Sequence, residues 1–144
     1  MKAVEIMIVD DLTEWRLRLR QFLEDIPGFR VVAEATNGLE ALEHAAQLLP
    51  DIVLLDIGMP KLNGIEAARR IRSASPESAV IFLTLEHDSD IRAAALATGA
   101  AAYLLKSTPL SELQQTIEGS LLNRFRPATL PVIGPYAASP VELR

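Results

Sequence analysis

The most informative stretch of the chain is Ile52-Val53-Leu54-Leu55-Asp56-Ile57-Gly58-Met59-Pro60. Its four consecutive aliphatic residues predict a short strand that is buried on both faces, as strands of parallel sheets are. The strand ends at a carboxylate, and a loop that contains glycine and proline follows it. A helix is predicted beyond that loop over residues 65–73. A buried strand followed by a helix is the repeating unit of an α/β fold.

The same alternation of short apolar runs and longer amphipathic stretches extends in both directions. Strands are predicted over residues 4–9, 29–33, 52–55, 79–83 and 101–105. Helices are predicted over 12–25, from an Asn37 cap to about Leu48, over 65–73, from Asp88 or Ser89 to Gly99, and from a Thr108 cap, with Pro109 at the first position, to about Leu122. This order predicts a doubly wound α/β fold, in which five parallel strands form one sheet and five helices cover both its faces.

Composition limits the class of protein. The chain has 144 residues, 49% hydrophobic and 5% aromatic, which predicts one domain with an aliphatic core. The absence of cysteine excludes disulfide scaffolds and thiolate metal sites. The sequence has neither a signal-peptide pattern nor an apolar run long enough to cross a membrane, so a cytoplasmic location is expected. The net charge of −5 argues against direct binding of nucleic acid by this chain.

The predicted domain covers residues 1–123, and residues 124–144 are interpreted as a proline-rich tail or linker. Four of the nine prolines fall in that last segment, and neither a helical nor a strand period continues through it. Whether it once led to an output domain stays open.

Polar side chains follow four of the predicted strands. Asp10 and Asp11 follow the first strand, Asp56 the third, Thr84 the fourth and Lys106 the fifth. The carboxyl ends of parallel strands meet at one edge of a sheet, where ligands bind in such folds. Clustered carboxylates without histidine or cysteine suit Mg²⁺. A carboxylate beside Mg²⁺ and a lysine can act as a nucleophile toward phosphorus, with Thr84 offering a hydroxyl to a phosphoryl oxygen.

Five motifs together resemble the receiver domains of two-component response regulators, a flavodoxin-like fold, over about residues 4–122. They are Ile8-Val9-Asp10-Asp11, Leu54-Leu55-Asp56-Ile57-Gly58-Met59-Pro60, Asn63-Gly64, Phe82-Leu83-Thr84, and Gly99-Ala100-Ala101-Ala102-Tyr103-Leu104-Leu105-Lys106. The last motif is most similar to the subfamily that often carries a helix-turn-helix output.

The resemblance implies a role for each matching residue. Asp56 would take a phosphoryl group from a phosphohistidine on a sensor histidine kinase or phosphotransfer protein. Mg²⁺ would be held by Asp10, Asp11, Asp56 and the Gly58 carbonyl. Lys106 and Thr84 would contact the phosphoryl group as catalytic residues. Thr84 and Tyr103 would form a switch. The face made by the fourth helix, fifth strand and fifth helix would then select partners, and a second copy of the chain is one candidate.

Two positions depart from the usual family pattern. Leu85 stands where a small residue is common, and its bulk is expected to shield the phosphoryl group and slow its exchange. Ser107 stands where proline in a cis bond is frequent. Either a cis bond is kept at a cost of about 3 kcal/mol, or the bond is trans and Lys106 is aimed differently.

The sequence argues against two other functions and leaves a third open. A turnover hydrolase of the aspartyl-phosphate type needs a general acid two residues after the nucleophile, and this chain has Gly58 there. A dinucleotide-binding domain would have glycines after the first strand rather than two acids. The main alternative is a receiver that binds partners without being phosphorylated, which Leu85 and Ser107 keep open.

Overall fold

In the computed structural model, which describes residues 2–124, strands and helices alternate along the whole described chain. Their bounds are β1 Val4–Val9, α1 Thr13–Glu24, β2 Phe29–Ala35, α2 Gly38–Leu48, β3 Ile52–Leu55, α3 Gly64–Ala74, β4 Ala79–Thr84, α4 Ser89–Leu96, β5 Ala102–Leu105 and α5 Leu110–Arg124. The predicted tail, 124–144, lies outside the described residues except for Arg124, at which α5 ends.

The five strands form one parallel sheet in the order β2-β1-β3-β4-β5. From β1 the chain first adds β2 on one side and then places β3, β4 and β5 on the other side. The direction in which strands are added therefore reverses between β1 and β3. This confirms the predicted doubly wound α/β fold. The crevice beyond the carboxyl ends of β1 and β3 is therefore the expected ligand site.

The core consists of two aliphatic layers, one on each face of the sheet. Alternate residues of the central strands point to opposite faces, so that Val53 and Leu55 belong to one layer and Ile52 and Leu54 to the other. The first layer packs on alanine-rich stretches of α2, α3 and α4, and the second packs on α1 and α5. All four residues of β3 are buried, as the continuous apolar run predicted.

The ends of some elements differ from the prediction. β2 continues to Ala35, two residues beyond the predicted end, because Ala35 pairs with Val9 and its carbonyl accepts from the Asp10 amide. α5 begins at Leu110, so Pro109 precedes the first helical position and its carbonyl accepts from the Leu113 amide. At α4, the cap is the Asp88 side chain, which accepts from the amides of Asp90 and Ile91.

No helix within residues 2–124 is both long enough and apolar enough to span a bilayer.

Candidate functional site

The strand ends bring the predicted polar residues to one edge of the sheet. Asp10 and Asp56 directly follow the neighbouring strands β1 and β3, and the Asp56 amide donates to the Val9 carbonyl at 3.0 Å. On the other side, the Lys106 amide donates to the Thr84 carbonyl at 2.8 Å, which places the lysine beyond β5. Backbone pairing of the sheet thus fixes where each of these side chains starts.

Lys106 joins the two buried carboxylates. Its Nζ lies 2.6 Å from Asp10 Oδ2 and 3.5 Å from Asp56 Oδ2, and its side chain is only 6% exposed. Within residues 2–124 it is the only side-chain cation within 4 Å of either carboxylate. Burial raises the pKa of Asp10, the nearby Asp56 charge acts in the same direction, and the bonds from Lys106 and the Leu12 amide oppose them. Keeping Asp10 ionised at this buried position therefore costs free energy.

The acidic cluster has the donors that a hard divalent cation prefers. Carboxylate oxygens of Asp10, Asp11 and Asp56 all lie within 4.8 Å of one another. Asp11 is exposed, whereas the other two are buried. Three carboxylates face one ammonium here, so the site has excess negative charge that a cation would relieve. All-oxygen ligands with room for water suit Mg²⁺ better than a transition metal.

A shallow cleft of about 450 Å³ opens above these side chains. Its charged lining residues are Asp11, Asp56, Glu86 and Lys106. Gly58, whose carbonyl was predicted to be a ligand, also lines it, together with Leu85. The Leu85 side chain is 64% exposed, so it stands at the mouth of the cleft rather than in the core. This position fits the predicted shielding role.

The loop after Asp56 is held by a close approach of α3. The Gly64 amide donates to the Ile57 carbonyl at 2.8 Å, and the Ile57 amide donates to Asp56 Oδ1 at the same distance. A Cβ atom on Gly64 would lie 2.0 Å from the Asp56 carbonyl oxygen, so only glycine fits there. In the sequence, Asn63-Gly64 was informative only as part of the family resemblance, because the steric requirement is visible only in the fold.

Thr84 and Tyr103 meet at the loop between β4 and α4. Thr84 Oγ1 accepts from the Glu86 amide at 3.3 Å, and the Tyr103 hydroxyl donates to the Glu86 carbonyl at 2.7 Å. Partial burial raises the pKa of Tyr103, and the nearby Glu86 carboxylate adds to that effect. One loop residue therefore links the two predicted switch residues.

The Lys106–Ser107 bond is trans, as are the other peptide bonds in the described part of the chain. Lys106 nevertheless reaches both buried carboxylates. Of the two possibilities kept open for Ser107, the trans bond is the one found.

Two residues near the site were not predicted as functional. Trp15 is partly buried and packs against the core, and Lys106 Nζ lies 5.4 Å from its ring centroid. Arg16 Nη1 donates to the Asp10 carbonyl at 2.8 Å, and its Nε donates to Glu34 at 3.0 Å. Both side chains come from the first turns of α1, and no local pattern in the sequence shows that they point toward the site.

Comparison with known proteins agrees with this geometry. The family model for the response regulator receiver domain matches residues 6–118. Response regulator GacA of Pseudomonas viridiflava is 35% identical over 114 residues, which cover 79% of this chain and 53% of that protein. The chain spans about half the length of this and several other curated relatives.

Two solved structures are also similar. A LuxR-family two-component response regulator from Aurantimonas sp. SI85-9A1 has a TM-score of 0.80 and 36% identity, covering 85% of this chain and 88% of that one. The structure of a CheX-CheY-BeF3-Mg²⁺ complex from Borrelia burgdorferi has a TM-score of 0.76 and 26% identity, covering 82% of this chain and 89% of that one.

Proposed function

The chain belongs to the response regulator receiver domain family, and we propose from this premise that it accepts a phosphoryl group on Asp56. The main support is that Asp56 lies beside two further carboxylates and one buried lysine at the carboxyl edge of the sheet. Among the three carboxylates, Asp56 is the one that is both buried and part of the cleft wall. An incoming phosphoryl donor can therefore reach it, while its surroundings hold it in place.

In the proposed reaction an Asp56 carboxylate oxygen attacks the phosphorus atom of a phosphohistidine on the donor. The new O–P bond forms as the P–N bond breaks, and the imidazole leaves with the bonding pair and takes up a proton. Lys106 already lies 3.5 Å from Asp56 Oδ2, so its ammonium is placed to neutralise charge on the phosphoryl oxygens. Thr84, at the end of β4 and in the cleft wall, offers its hydroxyl to one of those oxygens.

Asp10, Asp11, Asp56 and the carbonyl of Gly58 are the proposed protein ligands of Mg²⁺. The excess of carboxylates over ammonium in this cluster supports the assignment, as does the raised pKa of buried Asp10. When bound, the ion would supply positive charge beside the phosphoryl oxygens and orient the donor. The proposal does not include repeated turnover of a substrate, because Gly58 stands where a hydrolase of this type needs a general acid.

The readout we propose is a change in the loop that links Thr84 to Tyr103 through Glu86. If Thr84 turns toward a phosphoryl oxygen, its weak 3.3 Å bond to the Glu86 amide is the contact that must give way. Tyr103 follows because its hydroxyl is bonded to the same residue. The α4-β5-α5 face then presents a different surface to a kinase, a phosphotransfer protein or a second copy of the chain.

Incubation with acetyl phosphate, with and without Mg²⁺, tests the proposal when the protein is weighed by intact-mass spectrometry. One added phosphoryl group that requires both Mg²⁺ and Asp56 is expected. Asp56→Asn is the acceptor variant, and Asp51→Asn, at the opposite end of β3, is a matched control for loss of one acid. No adduct despite measurable Mg²⁺ binding would instead favour the receiver that binds partners without phosphorylation.

A further inference from the structure

Lys106 has a third partner that is not a carboxylate. Its Nζ lies over the ring of Trp15 at 5.4 Å from the centroid, which is within the range of a cation–π interaction. The lysine side chain is 6% exposed, so this contact lies away from bulk water, where such interactions are strongest. Trp15 belongs to the first turn of α1, whereas Lys106 follows β5, the last strand of the sheet.

The ring differs from the other two partners in what happens to it during the proposed reaction. Asp56 becomes an acyl phosphate, and Asp10 is proposed to share its charge with a metal ion. Both contacts of the ammonium therefore weaken or change when the site is in use. The indole is neutral and takes no part in the chemistry, so it offers the same face throughout.

Lys106 also needs restraint, because its side chain extends from the end of β5 across the ends of β4 and β3 to reach Asp10. Ordering a long lysine side chain in one conformation costs rotamer entropy. The indole face attracts the ammonium at the end of that side chain and so favours the conformation that reaches the carboxylates.

We propose that Trp15 is a positioning residue for Lys106, holding the ammonium beside Asp56 for phosphoryl transfer. The proposal rests on the phosphoacceptor function above. The competing explanation is that Trp15 only fills the rim of the core, where it packs against the layer formed with α1 and α5. The two explanations differ in whether the effect of removing the indole depends on the presence of the lysine.

The test is a double-variant cycle on the rate of phosphorylation by acetyl phosphate at saturating Mg²⁺. Trp15→Leu is expected to lower that rate about three- to thirtyfold, the factor that a desolvated cation–π contact represents. Trp15→Phe, which keeps a weaker π face, should lie between Leu and the unaltered protein. In a Lys106→Met background the same Trp15→Leu change should alter the rate by less than about twofold, because the ammonium is already gone.

Arg18 supplies the matched control. Its guanidinium carbon lies 5.7 Å from the same ring centroid, but the residue is exposed and is not part of the cleft wall. Arg18→Met should leave the phosphorylation rate unchanged. Mg²⁺ affinity, measured by calorimetry since the only tryptophan is altered, should stay within about twofold in Trp15→Leu. An equal loss of rate in both lysine backgrounds, or a parallel loss of Mg²⁺ affinity, would show a structural role and overturn the proposal.

NMR spectroscopy tests the contact between Trp15 and Lys106 without depending on phosphorylation. The Lys106 Hε protons should show an upfield ring-current shift in the unaltered protein and in Arg18→Met, and should lose it in Trp15→Leu. If acetyl phosphate gives no adduct at all, the phosphoacceptor function fails, and these shifts alone decide whether Trp15 holds the lysine. If the Lys106 Hε protons of the unaltered protein have the chemical shifts of an exposed lysine, the proposed role of Trp15 is overturned.

Discussion

Gly64→Ala should damage both the stability of the protein and the position of Asp56. A Cβ atom at position 64 would lie 2.0 Å from the Asp56 carbonyl oxygen and 2.7 Å from the Ile57 Cα. Real Cβ atoms do not approach other atoms closer than 3.0 Å, so the backbones must separate by about 1 Å. The atoms in the way are main-chain atoms that cannot rotate aside, and one belongs to the residue proposed to accept the phosphoryl group.

The size of the effect follows from that overlap. Overpacking of a rigid site costs about 1–3 kcal/mol, and we expect the upper end because backbone meets backbone. For a domain of this size, ~3 kcal/mol lowers the melting temperature by about 10 °C. Moving the two backbone segments apart would also lengthen the hydrogen bond from the Gly64 amide to the Ile57 carbonyl. Phosphorylation by acetyl phosphate should then fall together with stability.

Two other glycines make the experiment selective. A Cβ atom on Gly119, on the exposed side of α5, or on Gly58, in the cleft wall, would meet no other atom within 4 Å. Gly119→Ala should stabilise the protein by up to about 1 kcal/mol, since alanine favours a helix, and Gly58→Ala should melt close to the unaltered chain. Thermal melting followed by circular dichroism gives all three values. A Gly64→Ala protein that melts within about 2 °C of the unaltered chain would refute the steric reasoning.

Three further predictions concern the cleft, the metal and a helix start. Leu85→Ala should speed autodephosphorylation several-fold with little loss of stability, because the side chain is 64% exposed at the mouth of the cleft; an unchanged rate of phosphate loss would contradict its shielding role. Mg²⁺ at about 100 times its Kd should raise the melting temperature by about 8–12 °C, and Asp11→Asn should remove most of that rise; equal shifts in both proteins would exclude Asp11 as a ligand. Bonds from the amide and hydroxyl of Thr36 hold the pKa of Glu40 below its ordinary value. A lowered folded-state pKa stabilises the fold above the unfolded pKa, so Glu40→Gln should melt slightly lower at pH 7. The difference should shrink once the pH falls below the unfolded pKa and vanish as the pH falls through the lowered folded-state pKa.

The alternation of strands and helices and the group at the sheet edge could both be predicted from the sequence. The apolar run before Asp56 predicted a strand buried on both faces, and β3 is buried throughout. Asp10, Asp56 and Lys106 were expected to converge because parallel strands end at one edge, and two salt bridges join them. These features depend on local pattern and on topology, which a single sequence can show.

Contacts made by long side chains across the fold could not be predicted in this way. Trp15 and Lys106 are 91 positions apart, and their meeting depends on the tilt of α1 and the rotamers of both side chains. The start of α5 was also placed one residue early, because proline is favoured at the first helical position and the sequence does not reveal that Leu113 bonds to the Pro109 carbonyl. Whether the peptide bond before Ser107 is cis or trans likewise depends on the surrounding loop, and the bond is trans.

The phosphoryl group is proposed to reside on the side chain of Asp56. Reduction of the phosphorylated protein with borohydride converts an aspartyl phosphate to homoserine, and tandem mass spectrometry of the peptide that spans residues 51–61 locates the change. We predict homoserine at position 56, formed only after incubation with acetyl phosphate and Mg²⁺, and none in Asp56→Asn. Homoserine at position 10 or 11 instead, or a phosphoryl adduct that resists borohydride and remains in Asp56→Asn, would contradict the account.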